Sequence, residues 1–596
     1  MKEKFTALFV DGRKDPFEYL KKHPVILTFL FVLALSSVTF CEQNYISAGN
    51  RFFMLVLFAV AALAVSVYAA CVYGLKREYA IVLFFLLTVF SVLFLNYLTQ
   101  ANRKAGYIFI VSLCVLAAVF IVLLVTKKLT FESAVVLLFI AGVILRFTYV
   151  LYTSVTTRQH DVGNFAGTSG HAWYIKYLYL NGKIPDFDVT EVDQFYHPPL
   201  HHVIAALWWK TLSSFGVEDA YAQSSLQTLT LFYSSVCMII SYRLLREFKV
   251  QRHALVIAFA IIAFHPTFVI FSASINNDIL SVTFMLLAVL YSVKWYKSRK
   301  LSHIMVVSVA VGLGMMTKLS AYMVAFGIGL LFLIAMIGDK ANIKKYILQY
   351  VAFLVVCVPL ALWWETRNYI AFGVPPAYVQ RLSDDSWQYV GNVPALKRLF
   401  DFSKLFEAPV FDQWTNRGGK VYNEYNPMIS LLKTSCFGEY INDFGAFSAI
   451  TVAATALFWS NFTLALLSVA ALCYTLVKAI VRKQFSNKTV NAPYLSIAVT
   501  NALMIIFYYL FCFSYPHHCT ENIRYISPVI VFGTLFIGRT LCDLSEGSVG
   551  GVKENELLIQ SRSERIVRIS AYAATIFFTV VFCFSSALMF LQMAIA

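Results

Sequence analysis

The chain has 596 residues, of which 59% are apolar and only 13% are Asp, Glu, Lys or Arg, and its formal net charge is +16. An ordinary soluble domain carries roughly 25% charged residues, so this composition excludes a soluble enzyme. A basic surplus could mean nucleic acid, but in nucleic-acid-binding domains charge is dense, and here it is scarce. The basic surplus is expected to report membrane orientation instead.

Lys2, Lys4, Arg13, Lys14, Lys21 and Lys22 precede the first apolar run, which lacks a small-residue cleavage site, so the N-terminus reads as a cytoplasmic head with an anchor helix. Apolar stretches follow at about 24–41, 52–74, 79–99, 106–126, 131–151, 226–245, 253–273, 277–296, 302–316, 319–337, 346–363, 449–477, 493–514, 523–541 and 568–593. Most reach the roughly 20 residues a helix needs to cross a bilayer; 302–316 is short. The segments 152–225 and 364–448 contain no further full span. The 11 cysteines lie mostly singly inside apolar runs, with no CxxC pair, and indicate neither a disulfide scaffold nor a zinc knuckle.

With the N-terminus inside, basic residues collect in the predicted inside loops. Arg243, Arg246, Lys249 and Arg252 share one, Lys294, Lys297, Arg299 and Lys300 the next, and Lys340, Lys344 and Lys345 a third. By the positive-inside rule both long segments, 152–225 and 364–448, then face outward.

The first outward loop is the most informative. Asp161 follows the fifth span by about ten residues, and an amphipathic pattern with Trp173, Tyr174, Tyr177 and Leu178 suits the membrane interface. His197-Pro198-Pro199 then opens a second apolar helix ending in Trp208-Trp209-Lys210. Proline is tolerated in a first helical turn, where N–H groups lack internal partners, and those free N–H groups beside His197 suit an anion. An interfacial helix with a proline start is the plainer alternative.

An acid at the head of the first outward loop, an aromatic juxtamembrane helix and then HPPLHHVIAALW resemble GT-C glycosyltransferases of the family 39 kind, which include protein O-mannosyltransferases and lipid A aminoarabinose transferases. SINNDILSVTFMLLAVLY at 274–291, MTKLSAYMVAF at 316–326, RNYIAFGVPP at 367–376 and ENIRYISPVIVFG at 521–533 are similar to further segments of that family, so the resemblance covers roughly 150–541. It implies an all-α polytopic membrane protein of GT-C fold with about 13–15 transmembrane helices and two large extracytoplasmic loops carrying juxtamembrane helices. Residues 1–130 would be a cytoplasmic N-terminus with accessory helices, 131–541 the catalytic core, and 542–596 a cytoplasmic loop with a C-terminal helix.

The implied activity is transfer of a sugar from a polyprenyl-phosphate donor to a lipid, glycan or protein acceptor on the outer face, in a plasma membrane or, in a eukaryote, the endoplasmic reticulum. Membrane lipids are the other expected partners, and nucleic acid is not one. Asp161 matches the family's catalytic acidic position, which implies the role of base, and Asp278, in Asn276-Asn277-Asp278, matches a second acidic position. Donor-phosphate contacts are expected from His197, Lys318, Arg367 and Arg524, with Lys318 foremost because a cation between apolar runs is costly unless it meets an anion or a water-filled cavity. The aminoarabinose branch has lysine before the double proline where this chain has His197, which leaves the donor sugar open.

Weaker signals follow. Trp387, Trp414 and Tyr425 in the second loop, and Tyr525 beside Arg524, offer aromatic faces for a sugar. His201 and His202, following His197 at i+4 and i+5, make a candidate divalent-ion site with Asp161; no other cofactor is implied. Asp186-Phe187-Asp188 spells a nucleotide-sugar motif but has no strand-helix alternation around it and reads as a solvated turn. Cys436 and Cys519 both fall outside and could pair. A polytopic lipid or solute transporter is the competing class; it would favour inverted repeats, and none is visible in the sequence.

Overall fold

The structure, a computed structural model, describes residue 63 and residues 105–159, 161–406, 414–417, 420–439, 446–481, 488–546 and 562–595. The chain is a multi-pass membrane protein. Among the described residues nine helices are long and apolar enough to cross a bilayer, and three shorter apolar helices accompany them. The apolar stretches read from 106 onward are found in helices, that at 253–273 in two; those at 24–41, 52–74 (apart from residue 63) and 79–99 lie outside the described residues.

In chain order the helices are α1 (Ala105–Val125), α2 (Phe131–Tyr152), α3 (Gly170–Asn181), α4 (Leu200–Ser214), α5 (Asp219–Ser224), α6 (Gln227–Glu247), α7 (Arg252–Phe264), α8 (Pro266–Phe271), α9 (Asp278–Ser298), α10 (Leu301–Thr317), α11 (Met323–Gly338), α12 (Ile343–Phe372), α13 (Ala395–Phe400), α14 (Pro427–Phe437), α15 (Ala446–Val481), α16 (Lys488–Ser514), α17 (Pro528–Glu546) and α18 (Arg562–Ile595). One antiparallel ribbon, β1 (Trp414–Arg417) with β2 (Lys420–Asn423), departs from the all-helical expectation. The predicted span at 253–273 is broken between α7 and α8 at His265-Pro266, and α12 runs nine residues past its predicted end at 363.

The break at Pro266 has a clear cause and a compensation. Proline has no N–H to continue the ladder, and Thr267 turns its N–H to the His265 side chain. The Ala263 carbonyl left free accepts from Arg146 Nη1 at 2.6 Å, while Arg146 Nε reaches Ser234 Oγ at 2.8 Å. A fully buried arginine in α2 thus ties α2, α6 and the α7 break together. Helix association inside a membrane rests on close packing and hydrogen bonds rather than on apolar burial, and the α11 and α16 pair illustrates it. Ser496 Oγ donates to the Gly327 carbonyl at 2.7 Å, and a Cβ on Gly327 would lie 2.0 Å from Thr500 Oγ1.

Helices α9 and α10 pack as a hairpin, with α6 on one side and α12 on the other; α15 packs on α17 and α18, and α1 on α2 and α18. The α12 surface shows Leu348, Val351, Leu354 and Val355 outward, as a lipid-facing helix must. Helix direction gathers one set of ends. The C-termini of α2, α10, α12 and α16 and the N-termini of α6, α9 and α17 all lie on the side that carries α3, α4 and α14. The opposite side carries the short loops with Lys249, Lys300 and Lys340.

Candidate active site

Asp161 is positioned by the turn before α3. The first N–H groups of a helix lack internal acceptors; here the His171 N–H meets the Asp161 carbonyl at 3.1 Å and the Ala172 N–H meets the Val162 carbonyl at 2.8 Å. Such close approach requires glycine at 170, where a Cβ would fall 2.5 Å from the Val162 oxygen and φ is +83°. Asp161 itself has φ of 54°, a left-handed conformation that aspartate tolerates better than most residues. Its carboxylate meets Arg524 Nη1 at 2.6 Å; the Asp161 side chain is 36% exposed and that of Arg524 only 6%.

Arg524 lies on a single 3-10 turn, Ile523–Tyr525, just ahead of α17. Its Nη2 donates to the Tyr525 hydroxyl at 3.0 Å, and its guanidinium carbon lies 5.0 Å from the centre of the Tyr525 ring. The Lys318 ammonium lies 5.1 Å from the same ring and pairs with Asp278, the first residue of α9. Asp278 at a helix N-terminus also suits the helix dipole, and the Asn276 side chain accepts its N–H at 3.1 Å. Asp161, Arg524, Tyr525, Lys318 and Asp278 therefore form one run of alternating charge around an aromatic ring.

A histidine stack borders this run. His171 lies parallel to His197 and to His202, with ring centres 5.4 and 5.1 Å apart, and its Nδ1 is 2.8 Å from His202 Nε2. Burial pushes His171 down to about 3, against the pull of Asp161, and holds His197 and His202 well below the usual range, with His171 adding to the effect. These rings are neutral at pH 7, so His197 offers a hydrogen bond and no charge to an anion. Burial likewise lowers His201 to about 4; its Nε2 lies 3.2 Å from the Ile275 carbonyl. His201 and His202 thus turn their Nε2 atoms to different partners, Ile275 and His171. Among the described residues no group of three or more His, Cys, Asp or Glu side chains is placed to hold one.

Other sequence candidates fall elsewhere. Arg367 is taken up as a strut: it donates to the Pro185 carbonyl and to Asn368 Oδ1, over the rings of Trp364 and Phe372. Tyr425 donates to Asp401, and Lys397 and Lys404 occupy its ring face, so it presents no open platform for a sugar. Trp387 is 51% exposed in a turn. Trp414 lies on β1; its side chain is outside the described residues. Asp186 pairs with exposed Lys183 and Asp188 caps Thr190, the solvated turn expected of that motif. Cys436 and Cys519 are both free.

Residues that sequence reasoning missed are His171, Glu439, Glu521 and Asn522. His171 opens the aromatic juxtamembrane helix, and Glu521-Asn522 begin the segment singled out for Arg524. Those are the signals that could have found them.

Residues 197–364 match the family described as Dolichyl-phosphate-mannose-protein mannosyltransferase, so the resemblance read from the sequence is borne out over that stretch. Among curated proteins nothing matches the chain. Three solved structures resemble it at low identity. The archaeal oligosaccharyltransferase AglB from Archaeoglobus fulgidus, in complex with an inhibitory peptide and a dolichol-phosphate, is 14% identical over 77% of this chain and 56% of its own, with a TM-score of 0.41. ArnT from Cupriavidus metallidurans, in the apo state, is 13% identical over 77% and 76%, with a TM-score of 0.39. The Archaeoglobus fulgidus oligosaccharyltransferase tethered with an acceptor peptide is 13% identical over 77% and 55%, with a TM-score of 0.42. The chain thus spans little more than half the length of the oligosaccharyltransferase.

Proposed function

We propose that the protein is a membrane glycosyltransferase that moves a sugar from a polyprenyl-phosphate donor to an acceptor hydroxyl on the extracytoplasmic face. The observation that carries this reading is the run from Asp161 through Arg524, Tyr525 and Lys318 to Asp278, a half-open carboxylate beside two largely buried cations at one set of helix ends. The donor chain would lie in the bilayer and its phosphate at the level of those ends. Asp161 takes the acceptor proton as the acceptor oxygen attacks the anomeric carbon. The bond from that carbon to the phosphate oxygen breaks, and the oxygen leaves with the electron pair. Arg524 and Lys318 stabilise the charge that develops there, as preorganised cations in a site of low dielectric do. The basic loops on the far side of the bundle support an outward-facing site.

The test is transfer by purified protein from polyprenyl-phosphate hexose and pentose donors. Asp161→Asn keeps shape and removes the base, and its rate should fall by about 10²–10⁴-fold. Full activity in the variant would remove Asp161 from the base role.

A further inference from the structure

Beneath the second loop, outside the residues assigned to chemistry, lies a sealed polar network that ends on the Arg524 turn. Asn522 is its last member. The Asn522 side chain accepts the Arg524 N–H at 3.0 Å and donates to Glu439 Oε1 at 2.7 Å. The next N–H, that of Ile523, is held by Thr434 Oγ1 at 3.0 Å. On the other side of Asn522, Glu521 is wholly buried and accepts from Arg398 Nη2 at 2.8 Å and Ser430 Oγ at 2.9 Å. Arg398, on α13, also donates from Nε to the Tyr425 carbonyl and from Nη2 to the Cys512 carbonyl.

Three consecutive residues, 521 to 523, are therefore each pinned by a side chain from the second loop or by their own caps, and the next residue is the arginine that meets Asp161. A buried ion pair is a poor source of stability, since apolar replacements of the same volume are often neutral or better. What such a pair supplies is a fixed geometry. We infer that Asn522 and Glu521, held by Glu439 and Arg398, are positioning residues that set the Arg524 guanidinium opposite Asp161. The second loop acts on the site by holding this turn from behind, and its aromatic residues are not required to touch the sugar. Only the ligand arm of the test rests on the lipid-phosphate reading above.

Two disruptive variants of the protein in detergent, with a third as a rescue, separate positioning from mere stability. Asn522→Ala removes one cap, a loss too small to unfold the bundle, and Asn522→Ser restores an acceptor for the Arg524 N–H. Arg398→Met with Glu521→Gln removes both buried charges together, so no charge is stranded. The first readout is labelling of Arg524 by an arginine-selective dicarbonyl, followed by mass spectrometry, which needs no ligand. Asn522→Ala and the double variant should label Arg524 several-fold faster than the parent at an unchanged thermal midpoint, and Asn522→Ser should return it toward the parent rate. The second readout is binding of polyprenyl phosphate, where Asn522→Ala should weaken affinity by about tenfold, the worth of one contact to a charged group. Labelling that stays at the parent rate in both variants overturns the inference, whatever the binding arm shows. Labelling that rises only in step with a lower thermal midpoint overturns it as well. If instead labelling responds as described while polyprenyl phosphate binds neither the parent nor any variant, the positioning role stands and the lipid-phosphate reading falls.

Discussion

Two groups of ion pairs lie on the same side of the bundle and differ in access. In the first, Asp161 is 36% exposed against Arg524, and Lys318 is buried but for its edge against Asp278. In the second, Arg398 with Glu521 and Lys433 with Glu424 are sealed from solvent. A ligand can replace a partner in the first group without entering the packed interior, whereas opening the second would strand buried charge. The difference separates charge held ready for exchange from charge that sets geometry, and it is the reason for assigning chemistry to the first group alone.

The comparison is sharpened most by breaking a pair on the open side. Lys318→Met removes the cation facing buried Asp278 and should cost about 3–5 kcal/mol in thermal or denaturant unfolding. A cost below about 1 kcal/mol, the range of exposed pairs, would move Asp278 and Lys318 out of the packed site.

The histidine stack gives an effect of intermediate size. His171 has its folded pKa lowered to about 3, mainly by burial, whereas the unfolded chain takes up the proton near 6.5. The unfolded state therefore binds more protons below pH 6.5. The stability from this neutral ring is full above that pH and is lost as the pH falls toward 3, at about 1.4 kcal/mol per unit. Thermal midpoints should fall steadily from pH 6.5 to pH 4, and His171→Phe should flatten the slope. A midpoint independent of pH over that window would mean that the stack is wet.

The smallest effects belong to the second-loop aromatics. Tyr425→Phe should cost about 1 kcal/mol through the lost contact to Asp401. Trp387→Ala should stay within about 0.5 kcal/mol, as exposed substitutions do, and should leave transfer unchanged. A large loss of transfer in Trp387→Ala would return the second loop to direct sugar contact.

Much of this was legible before the fold was known, for reasons that differ by residue. Hydropathy alone locates the helices, because a span is a local property of about 20 residues. Lys318 stands out because charge among apolar runs is costly and Asp278 because it matches a second acidic position of the resembled family, and the two meet across 40 residues. Arg367 is harder to read: an arginine beside two tryptophans looks the same in sequence for an anion site and for the strut to Pro185. Tyr425 reads as a sugar platform in sequence because an aromatic residue in a polar loop carries no mark of the cations over its ring. Neutral histidines could not be read from HPPLHH, since burial decides their charge and burial is tertiary. Asn522 and Glu521 were invisible as positioning residues because their partners, Glu439 and Arg398, are 83 and 123 residues away.

The central claim is that Arg524 is held by Asp161 until a phosphate takes it. Titration of purified parent, Arg524→Ala and Asp161→Asn proteins with polyprenyl phosphate tests this directly. The account predicts that Arg524→Ala binds at least about tenfold more weakly than the parent, and that Asp161→Asn, with the competing carboxylate gone, binds more tightly although its transfer is slower. Equal affinity in all three proteins would contradict it.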